Sequence, residues 1–167
     1  GVYTVGNGQT ITNSGTVFNL GNTSVAIANA GSGNTINSTV ANVGLGANNI
    51  YVYSNDRTGT VNNSTTLSAT GGGNYGIYSA GTVTNNGNID FSNGLGNVAV
   101  YSIKGGTATN NGTITVGESD ISAVDSSGNL APLYSIGMGA GYETTDTGNI
   151  INKGTINVNG KHSIGMY

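Results

Sequence analysis

Three short segments recur in a fixed order along the chain, and apolar and polar residues alternate in each of them. Alternation with a period of two is typical of half-buried β-strands. No stretch shows the periodicity of an amphipathic helix, so the pattern predicts an all-β protein. Representative copies of the three segments are Thr10-Ile11-Thr12-Asn13, Thr113-Ile114-Thr115-Val116 and Val98-Ala99-Val100.

The spacing of the third segment sets the size of the repeat. Its copies begin at Val25, Ile50, Tyr75, Val98, Ile136 and Ile164, which are 25, 25, 23, 38 and 28 residues apart. Self-similarity at about 20–50 residues indicates a solenoid, and three strands of about 4–5 residues with Gly or Asn corners fill one turn. Because parallel crossovers are right-handed by default, the sequence predicts a right-handed parallel β-helix. It has roughly six rungs of about 22–28 residues, and one rung carries a loop insertion.

Two sets of residues are predicted to form columns when the rungs stack. In the third segment the first and third residues are expected to point inward, as in Val25 and Ile27. At one corner asparagine recurs, and stacked amides can hydrogen-bond to one another, each bond contributing about 0.5–1.5 kcal/mol. The predicted asparagine column consists of Asn13, Asn63, Asn85, Asn110 and Asn152.

The composition narrows the functional classes. The chain has 167 residues with 30 Gly, one Pro, no Cys and no Trp, and only 7% of them are charged. A net charge of -3 provides no basic patch for nucleic acid, and no apolar run approaches the about 18 residues of a membrane span. No cofactor is predicted.

Because the chain starts at Gly1 and stops at Tyr167 inside the repeat pattern, we expect residues 1–167 to be a single β-helix segment of a longer protein.

A longer sequence motif, called the phrase below, spans the second and third segments. It reads Asn152-Lys153-Gly154-Thr155-Ile156-Asn157-Val158-Asn159-Gly160 followed by Ser163-Ile164-Gly165-Met166, and residues 111–138 carry it with an insertion. The phrase resembles the passenger-domain repeats of large type V autotransporter adhesins of Gram-negative bacteria, of the fusobacterial kind. Looser copies at 82–101 and 10–28 extend the resemblance over nearly the whole chain.

The resemblance implies a location and a role. Members of that family are β-helical stalks on the bacterial cell surface, exported through the outer membrane by a C-terminal β-barrel that is not among these residues. Membrane attachment would come only through that barrel. We therefore expect an extracellular adhesin stalk or adhesive surface linked to virulence. Its expected partners are proteins or glycans of host cells or other bacteria, and avidity would supply most of the attachment.

The strongest irregularity is a loop insertion at 117–132 in the fifth rung. It contains Glu118, Asp120 and Asp125. Insertions in repeats project from one face, which is often the binding face, so these three acids are candidate ligand-binding residues. The alternatives are a solvated surface loop, a small projecting hairpin and a calcium site. Because the spacing of the acids matches no known calcium loop, no metal site is predicted.

A tyrosine column is the second candidate site. Tyr53, Tyr78 and Tyr101 follow the last inward residue of the third segment, so they are predicted to point outward and to stack. The stack either serves the fold or binds sugar or protein, and we treat all three as candidate ligand-binding residues. The column also includes Tyr3 and Tyr167, and it is interrupted at Ala28 and Gly139.

Two other function classes stay open. Some parallel β-helices degrade polysaccharides with paired carboxylates, but here the only histidine, His162, has no acid near it in sequence. We therefore predict no catalytic residues and no enzyme, and keep a secreted polysaccharide-degrading β-helix as an alternative. An ice-binding solenoid is the other alternative, since Thr10 and Thr12 form an outward Thr-x-Thr pair. Asparagine interrupts that array at Asn37 and Asn62.

Overall fold

The computed structural model describes residues 1–167 and consists of nineteen β-strands in three parallel sheets. Sheet A contains β1 (Val2–Thr4), β4 (Val25–Asn29), β7 (Ile50–Ser54), β10 (Tyr75–Ser79), β13 (Val98–Ser102), β16 (Ile136–Ala140) and β19 (Ile164–Met166). Sheet B contains β2 (Thr10–Asn13), β5 (Thr35–Ser38), β8 (Thr60–Asn63), β11 (Thr82–Asn85), β14 (Thr107–Asn110) and β17 (Asn149–Asn152). Sheet C contains β3 (Val17–Asn22), β6 (Asn42–Ala47), β9 (Thr66–Ala69), β12 (Asn88–Phe91), β15 (Thr113–Val116) and β18 (Thr155–Val158). The chain has no helix of the length and apolar character needed to cross a membrane.

The chain winds from sheet B to sheet C to sheet A, and each strand pairs in parallel with the strand three places further on. This arrangement gives six complete rungs and the additional strand β1. It confirms the predicted right-handed parallel β-helix. The strand β1, which is three residues long, lies outside the six copies of the third segment found in the sequence.

The interior of the rod is a continuous apolar core of stacked side chains. In sheets B and C the alternation predicts the buried positions correctly, and Val61, Val83, Leu67 and Ile89 are fully buried. They belong to a cluster of 21 buried residues. Since like side chains lie one rung apart, at about 4.8 Å, each rung buries apolar surface against its neighbours that it could not bury alone.

The predicted inward set of sheet A is wrong at the first position of the strands. Val25 is 43% exposed, and Val98 packs in a separate outer cluster with Tyr101. In β4, β7 and β10 the second, third and fifth positions are buried, as in Ala26, Ile27 and Asn29. Because apolar residues occupy both faces of these strands and two consecutive residues are buried, the alternation could not identify which face points inward.

Tyr51 fills the second position of β7 and is fully buried. Its ring packs edge-on to Phe18, with centroids 6.2 Å apart. Its hydroxyl lies 2.6 Å from the Ser38 hydroxyl and accepts a hydrogen bond from Asn13 Nδ2 at 2.9 Å. Burial raises the pKa of Tyr51, so the phenol stays neutral. It satisfies polar groups that would otherwise be unpaired inside the rod.

The predicted asparagine column forms from β8 to β17. The amide nitrogens of Asn63, Asn85 and Asn110 donate to the side-chain oxygens of Asn85, Asn110 and Asn152 at 2.8, 2.8 and 3.0 Å. Asn13 does not join this column, because Ser38 occupies the position between Asn13 and Asn63. As a result Oδ1 of Asn63 has no hydrogen-bond partner.

A second asparagine column, which the sequence analysis missed, lies at the corner before sheet A. Asn74 Oδ1 accepts the backbone N–H of Asn49 at 2.9 Å, and Asn97 Oδ1 accepts that of Asn74 at 2.8 Å. At a different corner, directly before β5 of sheet B, Asn34 Oδ1 accepts the backbone N–H of Gln9 at 2.7 Å. The available signal was an asparagine directly before the third segment at Asn49, Asn74 and Asn97. Side-chain amides therefore hold two of the corners where the chain leaves its sheets.

Asp56, at the corner after β7, is the only buried charged side chain and is 3% exposed. Its carboxylate accepts hydrogen bonds from Asn29 Nδ2 at 3.1 Å and from the backbone N–H groups of Asn34, Gly33 and Thr58 at 3.0, 3.2 and 3.1 Å. Burial acts to raise the pKa of Asp56, but these hydrogen bonds outweigh it and hold the pKa below its ordinary value. The sequence analysis did not single out this residue.

Candidate functional site

The tyrosine column forms on the outer face of sheet A, as predicted. The ring centroids of Tyr53 and Tyr78 are 5.8 Å apart with planes at 28°, and those of Tyr78 and Tyr101 are 5.5 Å apart at 10°. The register of β7, β10 and β13 places these three residues in one row. Tyr75 lies edge-on to Tyr78 at 5.4 Å and to Tyr101 at 6.3 Å. Four rings thus form one aromatic cluster.

Stacking within the cluster covers most of the ring faces. Tyr78 has Tyr53 on one face and Tyr101 on the other. Tyr101 rests on Gly139, where a Cβ would come within 2.4 Å of its ring, and its hydroxyl donates to the Gly141 carbonyl at 2.6 Å. Because Tyr101 is only 9% exposed, it has little surface left for a ligand.

The remaining phenols are neutral hydrogen-bonding groups. Burial raises the pKa of Tyr78, and the neighbouring phenols raise it further. Burial also raises the pKa of Tyr75. These hydroxyls can therefore donate and accept hydrogen bonds throughout the physiological pH range.

A groove opens beside the cluster in two parts, with volumes of about 590 Å³ and about 250 Å³. Both parts are lined by Tyr75, Tyr78 and Tyr142, so we treat them as one site, the aromatic groove. Tyr142 is 72% exposed. A volume of about 300–1,000 Å³ is typical of small-molecule sites, so the larger part alone can hold a ligand of that size.

Two irregular loops wall the aromatic groove. One is the base of the insertion, and the other is the segment 141–148 after β16. Both leave the rung pattern at neighbouring corners of sheet A, which is why the groove forms here. The residues that they contribute are Pro132, Leu133 and Tyr134 from the first loop and Tyr142, Glu143, Thr145 and Asp146 from the second.

The rim of the groove carries charges of both signs. Lys104 Nζ donates to Asn55 Oδ1 at 2.6 Å. Asp146 accepts the backbone N–H groups of Tyr142 and Lys104 at 2.8 and 2.9 Å, and these bonds hold the pKa of Asp146 below its ordinary value. The Glu143 carboxylate receives one long hydrogen bond, at 3.4 Å, from its own loop. Asp146 therefore shapes the loop, while Lys104 and Glu143 keep hydrogen-bonding capacity for a ligand.

The insertion folds as a projecting hairpin, one of the predicted alternatives. Asp120 and Leu133 exchange backbone hydrogen bonds at 2.8 and 2.9 Å. At the tip, Asp125 Oδ1 accepts the backbone N–H groups of Ser127 and Asn129, both at 2.9 Å. Two of the three predicted acids thus stabilise turns of their own loop. No group of three or more His, Cys, Asp or Glu side chains is arranged to hold a metal ion.

The predicted acids do not meet the tyrosines. Glu118 is exposed, but its carbonyl accepts hydrogen bonds from the Gly96 N–H and the Ser135 hydroxyl, so its backbone belongs to the rung. Glu118, Asp120 and Asp125 line neither part of the groove. Their role in ligand binding stays a prediction.

The hairpin exposes apolar side chains beside its polar ones. Val124 and Leu130 are 62% and 69% exposed, and Ile121 and Leu133 are exposed as well. The hairpin therefore presents both apolar and polar surface to solvent, and its role as a solvated loop or as a ligand contact stays a prediction.

The outer face of sheet B shows how far the threonine array extends. The strand register joins Thr10, Thr35, Thr60, Thr82 and Thr107 into one unbroken column. The neighbouring column reads Thr12, Asn37, Asn62, Thr84, Thr109 and Ile151. The two-column array is therefore interrupted, as the sequence indicates.

The comparison with protein families agrees with this architecture. Residues 1–167 match the family described as the BigA third pectate lyase-like domain. The chain belongs to this family. BigA is a bacterial surface adhesin-like protein, so membership of the BigA family points to a bacterial surface protein with a β-helical fold, in an extracellular or cell-surface location. No curated protein and no solved structure matches the chain. The BigA-family match covers every strand, the hairpin and the aromatic groove.

Proposed function

We propose that this chain is an adhesive segment of a bacterial surface protein and that the aromatic groove is its contact site. The groove is the observation that carries the proposal. It combines four tyrosine side chains with a rim that contains Lys104 and Glu143. Apolar and aromatic surface with a few convergent polar groups is typical of ligand sites. The stacked rungs hold this surface on a rigid rod.

The partner of the groove is a protein or a glycan on a host cell or another bacterium. Because the groove is open to solvent, we expect weak binding at each copy. Several copies on one cell surface would bind together, and the effective concentration of the second contact would then supply most of the attachment.

We further propose that the parent protein is a type V autotransporter of the fusobacterial kind, displayed at the outer membrane and active in virulence. The support is the phrase at 152–166 and its interrupted copy at 111–138. The complete reading frame of the parent gene tests this proposal. An open reading frame that encodes no export signal would contradict the autotransporter proposal.

Binding without turnover is the third part of the proposal. The side chains of Asp56, Asp120, Asp125 and Asp146 already accept backbone hydrogen bonds from their own corners and loops. Such carboxylates are committed to structure. Incubation with a panel of plant and bacterial polysaccharides, followed by a reducing-end assay, is expected to show no products. Products that disappear on substitution of one carboxylate would establish the polysaccharide-degrading alternative.

The adhesive function is tested with Tyr142→Ala. The Tyr142 side chain lines both parts of the groove. The hydrogen bond from Tyr142 to Asp146 is donated by the backbone N–H, which alanine retains. We expect the variant to fold normally and to lose at least half of the binding of the chain, displayed on beads, to epithelial cells and to bacteria. Ile151→Ala, which removes an exposed apolar side chain from sheet B, is the control and should bind fully. Equal binding by Tyr142→Ala and Ile151→Ala would exclude the aromatic groove as the contact site.

A further inference from the structure

The tyrosine column has one gap, at Ala28, where the strand register places no aromatic ring. Tyr3 is in register with Ala28, and Ala28 is in register with Tyr53. The column therefore runs Tyr101, Tyr78, Tyr53, then a methyl group, then Tyr3. The other gap, at Gly139, is covered by the ring of Tyr101.

The gap leaves one ring face of Tyr53 free. Its other face is covered by Tyr78, with which it stacks at 5.8 Å. On the side of Ala28 there is only a methyl group, and Ala28 is partly exposed. Tyr3 lies on the far side of the gap. We call the space above Ala28, between Tyr3 and Tyr53, the Ala28 slot.

The width of the slot selects the kind of ring that fits it. Tyr3 and Tyr53 are two rungs apart, which corresponds to about 9.6 Å. Carbon atoms in contact lie about 3.5–4.0 Å apart, so a flat ring between two aromatic faces would need only about 7–8 Å. A puckered saturated ring is thicker, because its axial hydrogens stand out from both faces, and it matches the wider gap.

The chemistry of the slot selects a neutral ligand. The residues in register at the slot, Ala28 and the two tyrosines, carry no charge. The charged residues Lys104, Glu143 and Asp146 line the aromatic groove, which Tyr53 borders and Ala28 does not. The hydroxyls of Tyr3 and Tyr53 form no hydrogen bond within the chain, so they can donate to and accept from hydroxyl groups of a ligand. The C–H faces of a pyranose ring match the aromatic faces, and its hydroxyls match the phenols.

We propose that the Ala28 slot holds one pyranose ring of a neutral glycan, packed between Tyr3 and Tyr53. This inference rests on the adhesive function proposed above and names the ligand class. It also gives Tyr53, one of the residues predicted from the sequence, a role that the covered rings of Tyr78 and Tyr101 cannot share.

The test fills the slot. In Ala28→Tyr the new ring completes the column. The variant is expected to fold, because tyrosine occupies the equivalent position in β7, β10 and β13. Neutral trisaccharides of glucose, galactose and N-acetylglucosamine are titrated into the 167-residue chain and its variants, and binding is followed by NMR through the backbone amide signal of Tyr53, which Ala28→Tyr and Ala28→Ser both retain. At least one of them should shift that signal, and Ala28→Tyr should weaken its binding by at least tenfold. Ala28→Ser, which keeps the slot open, should bind within twofold of the unchanged chain.

The outcomes separate this inference from the adhesive function. If the unchanged chain binds cells and Ala28→Tyr binds the neutral trisaccharides equally well, the slot is wrong and the adhesive function stands. The proposal that the ligand is a neutral glycan is contradicted if a uronic-acid trisaccharide binds more tightly than its neutral counterpart. If the chain binds cells but none of the neutral trisaccharides, the inference fails alone. If the chain binds neither cells nor trisaccharides, both the adhesive function and the Ala28 slot are contradicted.

Discussion

At the scale of single residues, the corners of the rod depend on buried polar side chains. Asp56 accepts hydrogen bonds from three backbone N–H groups and from the Asn29 amide, and the side chain of Asn85 bonds to those of Asn63 and Asn110. Backbone groups at corners lack sheet partners, so these side chains supply the bonds that burial requires. Loss of such a group leaves several donors unpaired at once.

Asp56→Ala is expected to lower the free energy of unfolding by about 2–3 kcal/mol at neutral pH, the range for bonds to a buried charged group. The folded-state pKa of Asp56 lies below its ordinary value. Its stabilisation is therefore complete above the ordinary value of 3.8 and is lost as the pH falls through the folded-state pKa. Urea unfolding of both proteins at several pH values should show the difference shrinking below that point.

The control for Asp56→Ala is Glu118→Ala, whose side chain is exposed. That variant should unfold at the same urea concentration as the unchanged chain near neutral pH. A difference between Asp56→Ala and the unchanged chain that stays constant across the acidic range would contradict the role given to the carboxylate.

Asn85→Ala tests the asparagine column. The side chain of Asn85 is fully buried and bonds to Asn63, Asn110 and the backbone of Gly87. We expect its removal to cost about 1–3 kcal/mol of stability, because two neighbouring amides lose a partner. Asn111→Ala, one residue beyond the equivalent position in the next rung, removes an exposed amide and should change stability little. Thermal unfolding followed by circular dichroism compares the two, and equal losses would show that the column contributes nothing.

At the scale of elements, the hairpin is an attachment to a rung that is complete without it. Asp120 and Leu133 are bonded to each other across its base. Ser119, directly before them, is buried, and its hydroxyl donates to the His162 carbonyl at 2.7 Å and accepts the Ser135 N–H at 2.8 Å. The boundary between rung and loop therefore lies between Ser119 and Asp120, three residues after the start of the insertion predicted from the sequence.

Replacement of residues 121–132 by an Asn-Gly turn should leave the β-helix intact, because the pair at the base of the hairpin is retained and Asn-Gly suits a two-residue turn. The far-UV spectrum should be unchanged and the melting temperature should move by only a few degrees. Deletion of 118–132 should lower it much further, because it removes the Ser119 hydrogen bonds. If the two variants have the same melting temperature, the boundary between the rung and the hairpin does not lie between Ser119 and Asp120.

At the scale of the whole molecule, the rod is a one-dimensional stack in which each rung contacts only its neighbours. Stability is then close to a sum over rungs and the interfaces between them. Removal of a whole internal rung should leave a shorter rod with the same architecture. Residues 75–97 form such a unit, since β10, β11 and β12 lie within it.

Deletion of 75–97 brings Asn63 beside Asn110, which continues the first asparagine column. It also brings Val61 beside Ala108, which continues the row of buried apolar side chains in sheet B. The variant should fold with the same strand content per residue. At about 0.05–0.15 kcal/mol per residue, its free energy of unfolding should fall by about 1–3 kcal/mol. Circular dichroism and urea unfolding measure both quantities. An unfolded or aggregated product would show that the rungs are not interchangeable.

The sequence predicts the sheets better than it predicts the site. Period-two alternation and the recurring asparagines identify the three sheets and most of one corner column, because these features repeat in every rung. The orientation of Val25 could not be read, since both faces of its strand are apolar. The covering of Tyr101 depends on the loop 141–148 and on Gly139, which occur once. The positions of Asp120 and Asp125 were likewise set by bonds inside a single hairpin, which no repeat pattern encodes.

Outside the rung with the insertion, paired strands of sheet A are 23–28 residues apart, and this similar step has a consequence for how long such a rod can be. Val25 pairs with Ile50, and Ile50 pairs with Tyr75, so each new rung closes a loop of one repeat. The entropy of loop closure depends on that length and not on the length of the chain. A rod of many rungs would therefore fold by adding equal steps, each templated by the last, and its folding time would grow in proportion to the number of rungs. The distance that such a protein reaches from a cell is then a matter of copy number, which duplication of one repeat can change without redesigning any contact.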